Sequence, residues 1–271
     1  MYSRVYVEIT NICNMNCSFC HGHSREPRQM TEGEYARVLA QLQGKTQYIY
    51  HHLMGEPLLH PLLPRFIQMA RDAGFRPMLT TNGTLLGEDL LMPELHKVNI
   101  SLHSFEGTEQ SAHEDYIRQV AAFADKANTL GTIISLRLWN NGCDGGANET
   151  ALACLRESLP GAWTPNTRGY RIRDGLFLEW GDRFAWPDKD APDGGDELFC
   201  HGLKDHFGIL SDGTVVPCCL DSDGVIALGN VFREELTDIL ASDRAKAIAE
   251  GFRRRKAAED LCRRCGYARK F

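Results

Sequence analysis

The order of apolar and polar residues predicts strands that alternate with helices along most of the chain. Strand-like apolar runs are followed by segments whose apolar residues recur every three to four positions. The strand-like runs occupy residues 5–10, 48–52, 76–81, 97–102 and 133–139. The helical segments occupy residues 31–42, 61–73, 88–96 and 111–130. This alternation predicts βαβ units and a parallel sheet, so the expected fold class is α/β.

The same alternation continues far enough to form a barrel-like sheet. A helix at 149–159 and strand-like pieces at 170–173 and 176–180 bring the total to about six strands. In parallel sheets, ligands bind beyond the carboxyl ends of the strands. We therefore expect the functional residues in the loops that follow the strands.

Composition argues against a membrane protein. The 271 residues are 43% apolar, enough for one large α/β domain or one domain with an appendage. No apolar run approaches the roughly 18 residues that a transmembrane helix needs. The chain starts on a strand-like segment without a signal peptide, and its ten cysteines suit a reducing compartment. We expect a cytoplasmic protein with no membrane partner.

Charge is spread unevenly. The net charge is −6, yet residues 252–271 contain eight basic residues and two acidic ones. Clustered Lys and Arg can neutralise phosphates, so this basic tail makes RNA an alternative partner. A solvated basic helix face is the simpler interpretation.

Three cysteines follow the first strand with the spacing C-x3-C-x2-C: Cys13, Cys17 and Cys20. A [4Fe–4S] cluster has four irons and is usually bound by thiolates, so three cysteines leave one iron open to a small molecule. A structural zinc site needs four protein ligands, for which His21 and His23 are the candidates nearby. The spacing favours the open cluster, and zinc is the alternative.

This triplet resembles that of the radical S-adenosylmethionine (SAM) enzymes. In that family three cysteines hold a [4Fe–4S] cluster, and the amino and carboxylate groups of SAM occupy the open iron. One electron then cleaves SAM to a 5′-deoxyadenosyl radical, which abstracts hydrogen from a substrate. The resemblance implies a partial (β/α)6 radical SAM barrel, in agreement with the predicted strands. The cofactors carry the chemistry, and the protein supplies position and exclusion of water.

Two loops at predicted strand ends match motifs of the same family. Met54-Gly55-Glu56-Pro57 resembles its Gly-Gly-Glu-Pro motif, whose backbone groups and polar partner hold the SAM amino group. The resemblance thus makes Gly55 and Glu56 cofactor-binding residues. Thr81 and Asn82 end the third strand at the predicted rim, although Asn-Gly is also an ordinary turn.

Three further residues are placed at SAM by the resemblance. It implies Ser101 near the ribose, Arg118 against the carboxylate and Phe19 near the adenine. Arginine suits the carboxylate because its fork can pair with two oxygens at once. A solvated charge on a helix face is the alternative for Arg118.

A second cysteine set lies near the C-terminus. Cys200 and Cys218 belong to a C-x12-G-x4-C pattern, and Cys262 and Cys265 form a C-x2-C pair. Four thiols can close a structural zinc site or hold an auxiliary cluster. Cys219 is the spare thiol, because consecutive side chains on a strand point in opposite directions.

The pattern resembles the auxiliary-cluster domains of radical SAM enzymes, called SPASM or, in the short form, twitch. It implies one auxiliary [4Fe–4S] cluster in a small β-hairpin plus helix domain. The hairpin is predicted at 208–210 and 215–217, with an Asp-Gly turn between them. We expect a barrel domain at 1–190 and the auxiliary iron–sulfur domain at 191–271.

The segment around the fifth strand supplies the predicted substrate contacts. Arg137, Trp139 and Asn141 are the pocket candidates, although Trp139 also fits plain core. His103 lies at the end of the fourth strand, where a base that is neutral near pH 7 is useful. His51 and His52 have similar positions, and for all three histidines a role as a satisfied wall residue is the alternative.

Radical SAM dehydrogenases with three plus four cysteines resemble this chain in layout. In them the auxiliary cluster is thought to accept the electron that remains on the substrate after hydrogen abstraction. The first hypothesis is therefore oxidation of a small polar metabolite, with flavodoxin or ferredoxin as the reducing electron donor. The alternatives are a ribosomal-peptide maturase, an RNA-modifying enzyme and a non-catalytic iron–sulfur redox protein.

Overall fold

A single sheet of eleven strands runs through residues 1–105 and 109–270, the part of the chain that the computed structural model describes. The strands are β1 (Arg4–Val7), β2 (Tyr48–Tyr50), β3 (Arg76–Thr81), β4 (Lys97–Ser101), β5 (Ile133–Leu138), β6 (Thr164–Asn166), β7 (Gly169–Arg173), β8 (Leu176–Trp180), β9 (His206–Ile209), β10 (Thr214–Val216) and β11 (Gly229–Asn230). The α-helices are α1 (Glu32–Leu42), α2 (Leu63–Asp72), α3 (Gln110–Thr129), α4 (Ala147–Ser158), α5 (Leu236–Leu240), α6 (Asp243–Arg253) and α7 (Asp260–Arg263). The strand order is β11-β10-β9-β1-β2-β3-β4-β5-β8-β7-β6.

Six neighbouring strands, β1 to β5 and β8, run parallel. Helices α1 to α4 lie in the connections between them, which confirms the predicted partial (β/α)6 barrel. Of the two strand-like pieces predicted after α4, only β8 joins the parallel set. The other, β7, pairs antiparallel with β8 and with β6, so these strands form an edge hairpin outside the barrel.

The α-helix predicted at residues 88–96 is wrong. The chain forms one short 3-10 turn there, Glu88–Leu90, and then runs irregularly into β4. Pro93 explains the difference, because proline lacks an N–H and its ring clashes with the carbonyl four residues earlier. Leu90 and Leu95 are both buried, so the apolar spacing that suggested a helix instead covers the sheet without one.

The other predicted barrel helices are confirmed to within two residues at each end. Helix α1 shows why its start could be predicted. The Thr31 hydroxyl accepts from the backbone N–H of Glu34, and the Glu34 carboxylate accepts from the N–H of Thr31 at 2.8 Å. This reciprocal pair satisfies two backbone donors that the first helical turn leaves free.

The barrel strands have one apolar and one polar face. Their apolar side chains are buried in the core, for example Val5, Val7, Ile49, Val98, Ile100, Ile134 and Leu136. Successive residues of a strand point to opposite faces, so the residues that alternate with these apolar ones point to the concave side of the sheet. We call this concave side the barrel interior. Its polar and aromatic side chains include Arg4, Tyr6, Tyr50, His52, Lys97, Asn99, Arg137 and Glu179.

The C-terminal segment continues the sheet beyond β1. Strand β9 pairs in parallel with β1, and β10 returns antiparallel to β9 as the predicted hairpin. Gly213 in the turn has φ +87°, and a Cβ there would lie 2.5 Å from the Phe232 ring, so the turn requires glycine. Among the described residues, no helix has both the length and the apolar character needed to cross a membrane.

Candidate active site

The loop that carries Cys13, Cys17 and Cys20 leaves β1 and is fastened at its base by Asn11. The Asn11 amide donates to Glu26 O at 2.8 Å, and its side-chain oxygen accepts from Arg28 N at 2.7 Å. Burial raises the pKa of Cys13, and the nearby Glu56 and Cys20 raise it further. The loop therefore places all three cysteines beyond the carboxyl end of β1, with Cys13 and Cys20 near each other.

Gly55 and Glu56 hold this loop from the side. The N–H of Glu56 donates to Ile12 O at 2.8 Å, which joins the two loops by their backbones. The buried Glu56 carboxylate accepts from Thr81 Oγ1 at 2.7 Å, from Asn82 N at 2.7 Å and from Leu58 N at 3.0 Å. Burial raises the Glu56 pKa, and these three hydrogen bonds act against that rise.

This geometry changes the role expected for Glu56. Two of the hydrogen bonds fix its carboxylate against the end of β3 and the third comes from Leu58 in its own loop, so the buried carboxylate joins the two loops. The predicted contact between this motif and the SAM amino group is therefore left to backbone groups. Thr81, predicted as a rim residue, serves the same joint, because its hydroxyl also accepts from Gly83 N at 3.0 Å.

Asn82 connects the end of β3 directly to the cysteine loop. Its amide donates to Asn14 Oδ1 at 2.9 Å, and its own oxygen accepts from the Thr84 hydroxyl at 2.7 Å. The Tyr116 hydroxyl of α3 donates to Asn82 O at 2.6 Å. Asn82 thus positions the segment next to Cys13.

Replacing Gly55 with alanine should loosen this joint. Gly55 has φ +74°, and a Cβ there would lie 2.5 Å from Thr10 O and 2.8 Å from the Asn11 carbonyl carbon. Left-handed backbone alone costs a non-glycine residue about 1–2 kcal/mol, and the clash with backbone atoms adds to this cost. Gly44→Ala is the matched control, since Gly44 has φ +73° and nothing within 4 Å of its Cβ position. Urea unfolding should show the larger loss of stability for Gly55→Ala; equal losses would contradict the proposed close packing.

Phe19 belongs to an aromatic cluster over the cysteine loop. Its ring centroid lies 4.6 Å from that of His103, and Arg183 lies over the same ring at 5.6 Å. The Trp186 indole donates to Phe19 O at 2.9 Å. His103 Nδ1 lies 3.1 Å from Arg137 O and 3.3 Å from Trp139 N, so this cluster links the cysteine loop to the end of β5.

Ser101 and Arg118 are not brought together. Ser101 ends β4 half-buried, as expected for a rim residue. Arg118 is exposed on the outer side of α3, where it pairs with Glu114 at 3.0 Å and Asp115 at 3.3 Å. Buried residues such as Tyr116 and Ile117 occupy the side of α3 that faces the sheet, so the structure does not bring Arg118 to the other predicted SAM residues. Its contact with the SAM carboxylate stays a prediction.

Arg137 lies in the barrel interior, as its prediction as a pocket residue requires. One terminal guanidinium nitrogen donates to Asn99 Oδ1 at 2.8 Å, and Nε lies 3.6 Å from a Glu179 oxygen. The guanidinium also lies over the Trp139 ring, 4.5 Å from its centroid. Trp139 itself is 36% exposed, so it is not a plain core residue and one side of its ring faces solvent.

Sequence reasoning missed several members of the interior, although a pattern for them exists. Polar residues alternate with apolar ones in Arg4-Val5-Tyr6-Val7 and in Lys97-Val98-Asn99-Ile100. In the structure the Tyr6 ring lies 5.2 Å from that of Tyr50 and 5.5 Å from that of His52. The period of two could have identified these residues as one polar surface.

The histidines at the end of β2 have different roles. His51 is fully buried, where Nε2 lies 2.5 Å from the Tyr35 hydroxyl and Nδ1 lies 3.2 Å from Met78 O. Burial lowers its pKa to about 4, which makes it a satisfied wall residue. His52 faces the interior, and among the described residues its Nδ1 has no hydrogen-bond partner. Burial, together with Arg137, lowers the pKa of His52 to about 3.

Asn141 borders a cavity of about 440 Å³ beside the barrel opening. Its amide donates to Asp182 Oδ1 at 3.2 Å, and its backbone N–H donates to Gly181 O at 3.1 Å. Arg168 and Trp180 line the same cavity. Asn141 therefore borders this cavity and is not one of the residues of the barrel interior.

The four C-terminal cysteines converge although they come from distant segments. Burial raises the pKa of each thiol: Cys200, Cys218, Cys262 and Cys265. Its neighbour Cys219 raises the pKa of Cys218 further, and Cys200 and Cys262 are close enough to add to this rise. Cys219 faces the barrel instead, where the Tyr6 hydroxyl donates to its sulfur, as its role as the spare thiol requires.

The spacing of these donors differs from that around a single metal ion. Among residues 1–105 and 109–270, no three Cys, His, Asp or Glu side chains are drawn together tightly enough to share one ion. An iron–sulfur cluster binds each thiolate to a different iron and so holds the thiolates farther apart. The arrangement is compatible with clusters at both sets.

Comparison with protein families assigns both cysteine sets. The radical SAM superfamily matches residues 7–136, which include the first set, and the SPASM iron–sulfur cluster-binding domain matches residues 200–266, which include the second. The chain thus contains a radical SAM domain and a SPASM domain. The family thus accounts for SAM and [4Fe–4S] clusters as the cofactors, as predicted.

Known radical SAM proteins resemble the chain over different lengths. It is 23% identical to the S-adenosyl-L-methionine-dependent 2-deoxy-scyllo-inosamine dehydrogenase of Niallia circulans over 98% of this chain and 93% of that protein. It is 31% identical to an S-adenosylmethionine-dependent nucleotide dehydratase of Selenomonas ruminantium over 34% of each chain. Relatives of this second kind, which are more than 30% identical, are thus matched over only about a third of their own length.

A solved structure shares the fold of this radical SAM protein. The crystal structure of BtrN in complex with AdoMet and 2-DOIA matches 98% of this chain and 93% of that one, with a TM-score of 0.59 and 20% identity. At this identity the match establishes the fold alone.

Proposed function

We propose that this protein is a radical SAM oxidoreductase that oxidises a small polar metabolite held in the barrel interior. The observation that carries the proposal is that neighbours of both cysteine sets are linked to this polar interior. On one side, the ring of Phe19, the neighbour of Cys20, lies 4.6 Å from that of His103, which contacts the backbone of Arg137. On the other side, Tyr6 donates to Cys219, the neighbour of Cys218. A substrate between these contacts would lie near both cofactor sites.

The chain's donors fit the two clusters that the family implies. Cys13, Cys17 and Cys20 would hold the cluster that binds SAM, and the four C-terminal cysteines listed above would hold the auxiliary one. When bound, these groups supply a 5′-deoxyadenosyl radical and an acceptor for one electron. The 2-deoxy-scyllo-inosamine dehydrogenase, similar over nearly the whole chain, supports an oxidative outcome.

The oxidation balances for an alcohol that becomes a carbonyl compound. A substrate carbon would lose a hydrogen atom to the 5′-deoxyadenosyl radical, which thereby becomes 5′-deoxyadenosine. The remaining electron would leave to the acceptor, and the hydroxyl would lose its proton as the C=O bond forms. The proton would leave to solvent, because burial and Arg137 lower the pKa of His52 to about 3 and so disfavour a second proton on its ring. The His52 ring, 5.5 Å from that of Tyr6, would instead contact the substrate as a neutral group.

Contacts of the basic tail favour this function over action on RNA. Lys270 donates to Asp182 O at 2.9 Å, Arg269 donates to Gly195 O at 3.1 Å, and Arg263 pairs with Asp193 at 3.6 Å. These basic residues hold the segment between β8 and β9 against the C-terminus, so internal contacts already account for them.

We further propose the setting in which the enzyme works. A flavodoxin or ferredoxin would supply the reducing electron in the cytoplasm, where a reducing environment keeps thiols free. The chain would divide into a barrel domain, 1–190, and an auxiliary iron–sulfur domain, 191–271. The two matched family regions lie on either side of this boundary.

Anaerobic turnover tests the function. The reconstituted protein, given SAM and dithionite, should form 5′-deoxyadenosine. Added to an extract of small metabolites, it should also form a product two hydrogens lighter than its precursor, and mass spectrometry would detect both. Absence of 5′-deoxyadenosine under strong reduction would favour an electron carrier. Its formation with modification confined to added peptide or RNA would favour those substrates instead.

A further inference from the structure

The barrel interior contains more positive than negative charge. Three of its side chains are cationic, Arg4, Lys97 and Arg137, and one is anionic, Glu179. Glu8, the buried carboxylate on the strand end next to it, is already paired with Arg25 at 2.7 Å. The interior thus holds cations that its own carboxylate does not balance.

Two of these cations also have one N–H group without a hydrogen-bond partner. Among the described residues, the buried Nε atoms of Arg4 and Arg137 make no hydrogen bond. The nearest oxygen of Glu179 is 3.6 Å from Arg137 Nε, too long for a hydrogen bond. A buried N–H without a partner is unfavourable unless a ligand or water satisfies it, so these atoms indicate where an acceptor is missing.

The neighbouring groups respond to this excess of charge. Arg137 lowers the pKa of His52 and of Lys97, in each case after the larger effect of burial. Arg4 likewise adds to the effect of burial in lowering the pKa of His206 to about 4. The interior therefore disfavours further positive charge and favours an anion.

Neighbouring residues fix the guanidinium of Arg137 in a position where it could bind such an anion. Asn99 fixes one end of the guanidinium, and Trp139 covers its face. A planar guanidinium held in this way can meet two oxygens of a carboxylate or phosphate at once. Trp139 is 36% exposed, so the ring that covers this guanidinium is itself open to solvent.

We propose that the barrel interior binds an anionic substrate, a small metabolite with a carboxylate or phosphate group, and that Arg137 receives this group. The proposal rests on the proposed function, whose substrate class it names. A bound anion would place the rest of the metabolite toward the cysteine loop, through the contact between His103 and the end of β5.

Calorimetry on the reconstituted holoenzyme tests the proposal. With SAM present at saturation, the wild type is titrated with inorganic phosphate and with succinate, and at equal ionic strength with succinamide as the uncharged analogue. We expect at least one anion to bind and succinamide not to bind. Arg137→Gln should weaken that binding about tenfold or more, because a charged hydrogen bond is lost. Phosphate alone would indicate a phosphate ester, and succinate alone a carboxylate.

Two further variants make the result specific. Arg65→Gln removes a guanidinium from the surface, where it pairs with Glu32 at 3.1 Å, and should leave anion binding unchanged. Arg137→Lys keeps the charge and should recover part of the affinity, which shows that the loss in Arg137→Gln is not a folding defect. The proposal is overturned if neither anion binds, if succinamide binds equally well, or if Arg137→Gln changes nothing. It is also overturned if the anion competes with SAM, since Arg137 would then serve the SAM carboxylate. Formation of 5′-deoxyadenosine by the wild type tests the proposed function independently of all these outcomes.

Discussion

Replacing Cys13, Cys17 and Cys20 together with alanine should reduce the iron content from about eight to about four atoms per chain. The three thiols belong to one loop that Asn11 closes, while the C-terminal thiols are held by other elements, so one set can be lost without the other. Formation of 5′-deoxyadenosine should cease. Iron and labile sulfide after anaerobic reconstitution measure the first effect, and chromatography of the reaction with SAM and dithionite measures the second.

Cys143→Ala is the control for this variant. Cys143 is an exposed free thiol outside both sets, so its removal should leave the iron content and 5′-deoxyadenosine formation unchanged. A wild type with about four irons, falling to none in the triple variant while zinc remains, would contradict the prediction. The C-terminal set would then be structural, and the proposed oxidation would lack its electron acceptor.

The barrel could be predicted from the sequence because each of its signals is local. Apolar runs, helical period and the capping pair at Thr31 and Glu34 depend on neighbours within a few residues. The prediction failed at residues 88–96, where the helical spacing of apolar residues was weighed more heavily than Pro93. It also failed to separate β7 from β8, since a strand's direction depends on its partner and not on its own composition.

The site could be predicted only in part, for a related physical reason. Cys13, Cys17, Cys20 and Gly55 belong to short-range patterns, and they lie in the loops after β1 and β2, as expected. The partners that Glu56 and Arg118 have within this chain could not be predicted in the same way, because that of Glu56 comes from another strand end and that of Arg118 depends on which side of α3 is buried. The interior pair of Arg137 and Glu179 exists only after β5 and β8 become neighbours, so no local pattern could reveal it.

Arg25→Ala should lower the free energy of unfolding by about 3–5 kcal/mol, the range for removing one partner of a buried ion pair. Arg25 meets both oxygens of Glu8 at 2.7 Å, and the Glu8 side chain is 0% exposed. The same carboxylate accepts from Met54 N at 3.1 Å and from Ser211 N at 3.0 Å. Without Arg25, a charge would remain buried where the cysteine loop, the loop after β2 and the C-terminal hairpin meet. Urea unfolding monitored by circular dichroism measures the loss.

Two comparisons separate the buried charge from a general effect of losing arginine. Arg65 pairs with Glu32 at 3.1 Å on the surface, with about half of each side chain exposed, so Arg65→Ala should cost about 1 kcal/mol or less. Adding Glu8→Gln to Arg25→Ala should recover part of the stability, because the group left behind is then neutral. Equal losses for Arg25→Ala and Arg65→Ala, or no recovery in the double variant, would mean that the meeting point tolerates an unpaired carboxylate. The contact between the cysteine loop and the hairpin would then depend on the backbone hydrogen bonds and not on the ion pair.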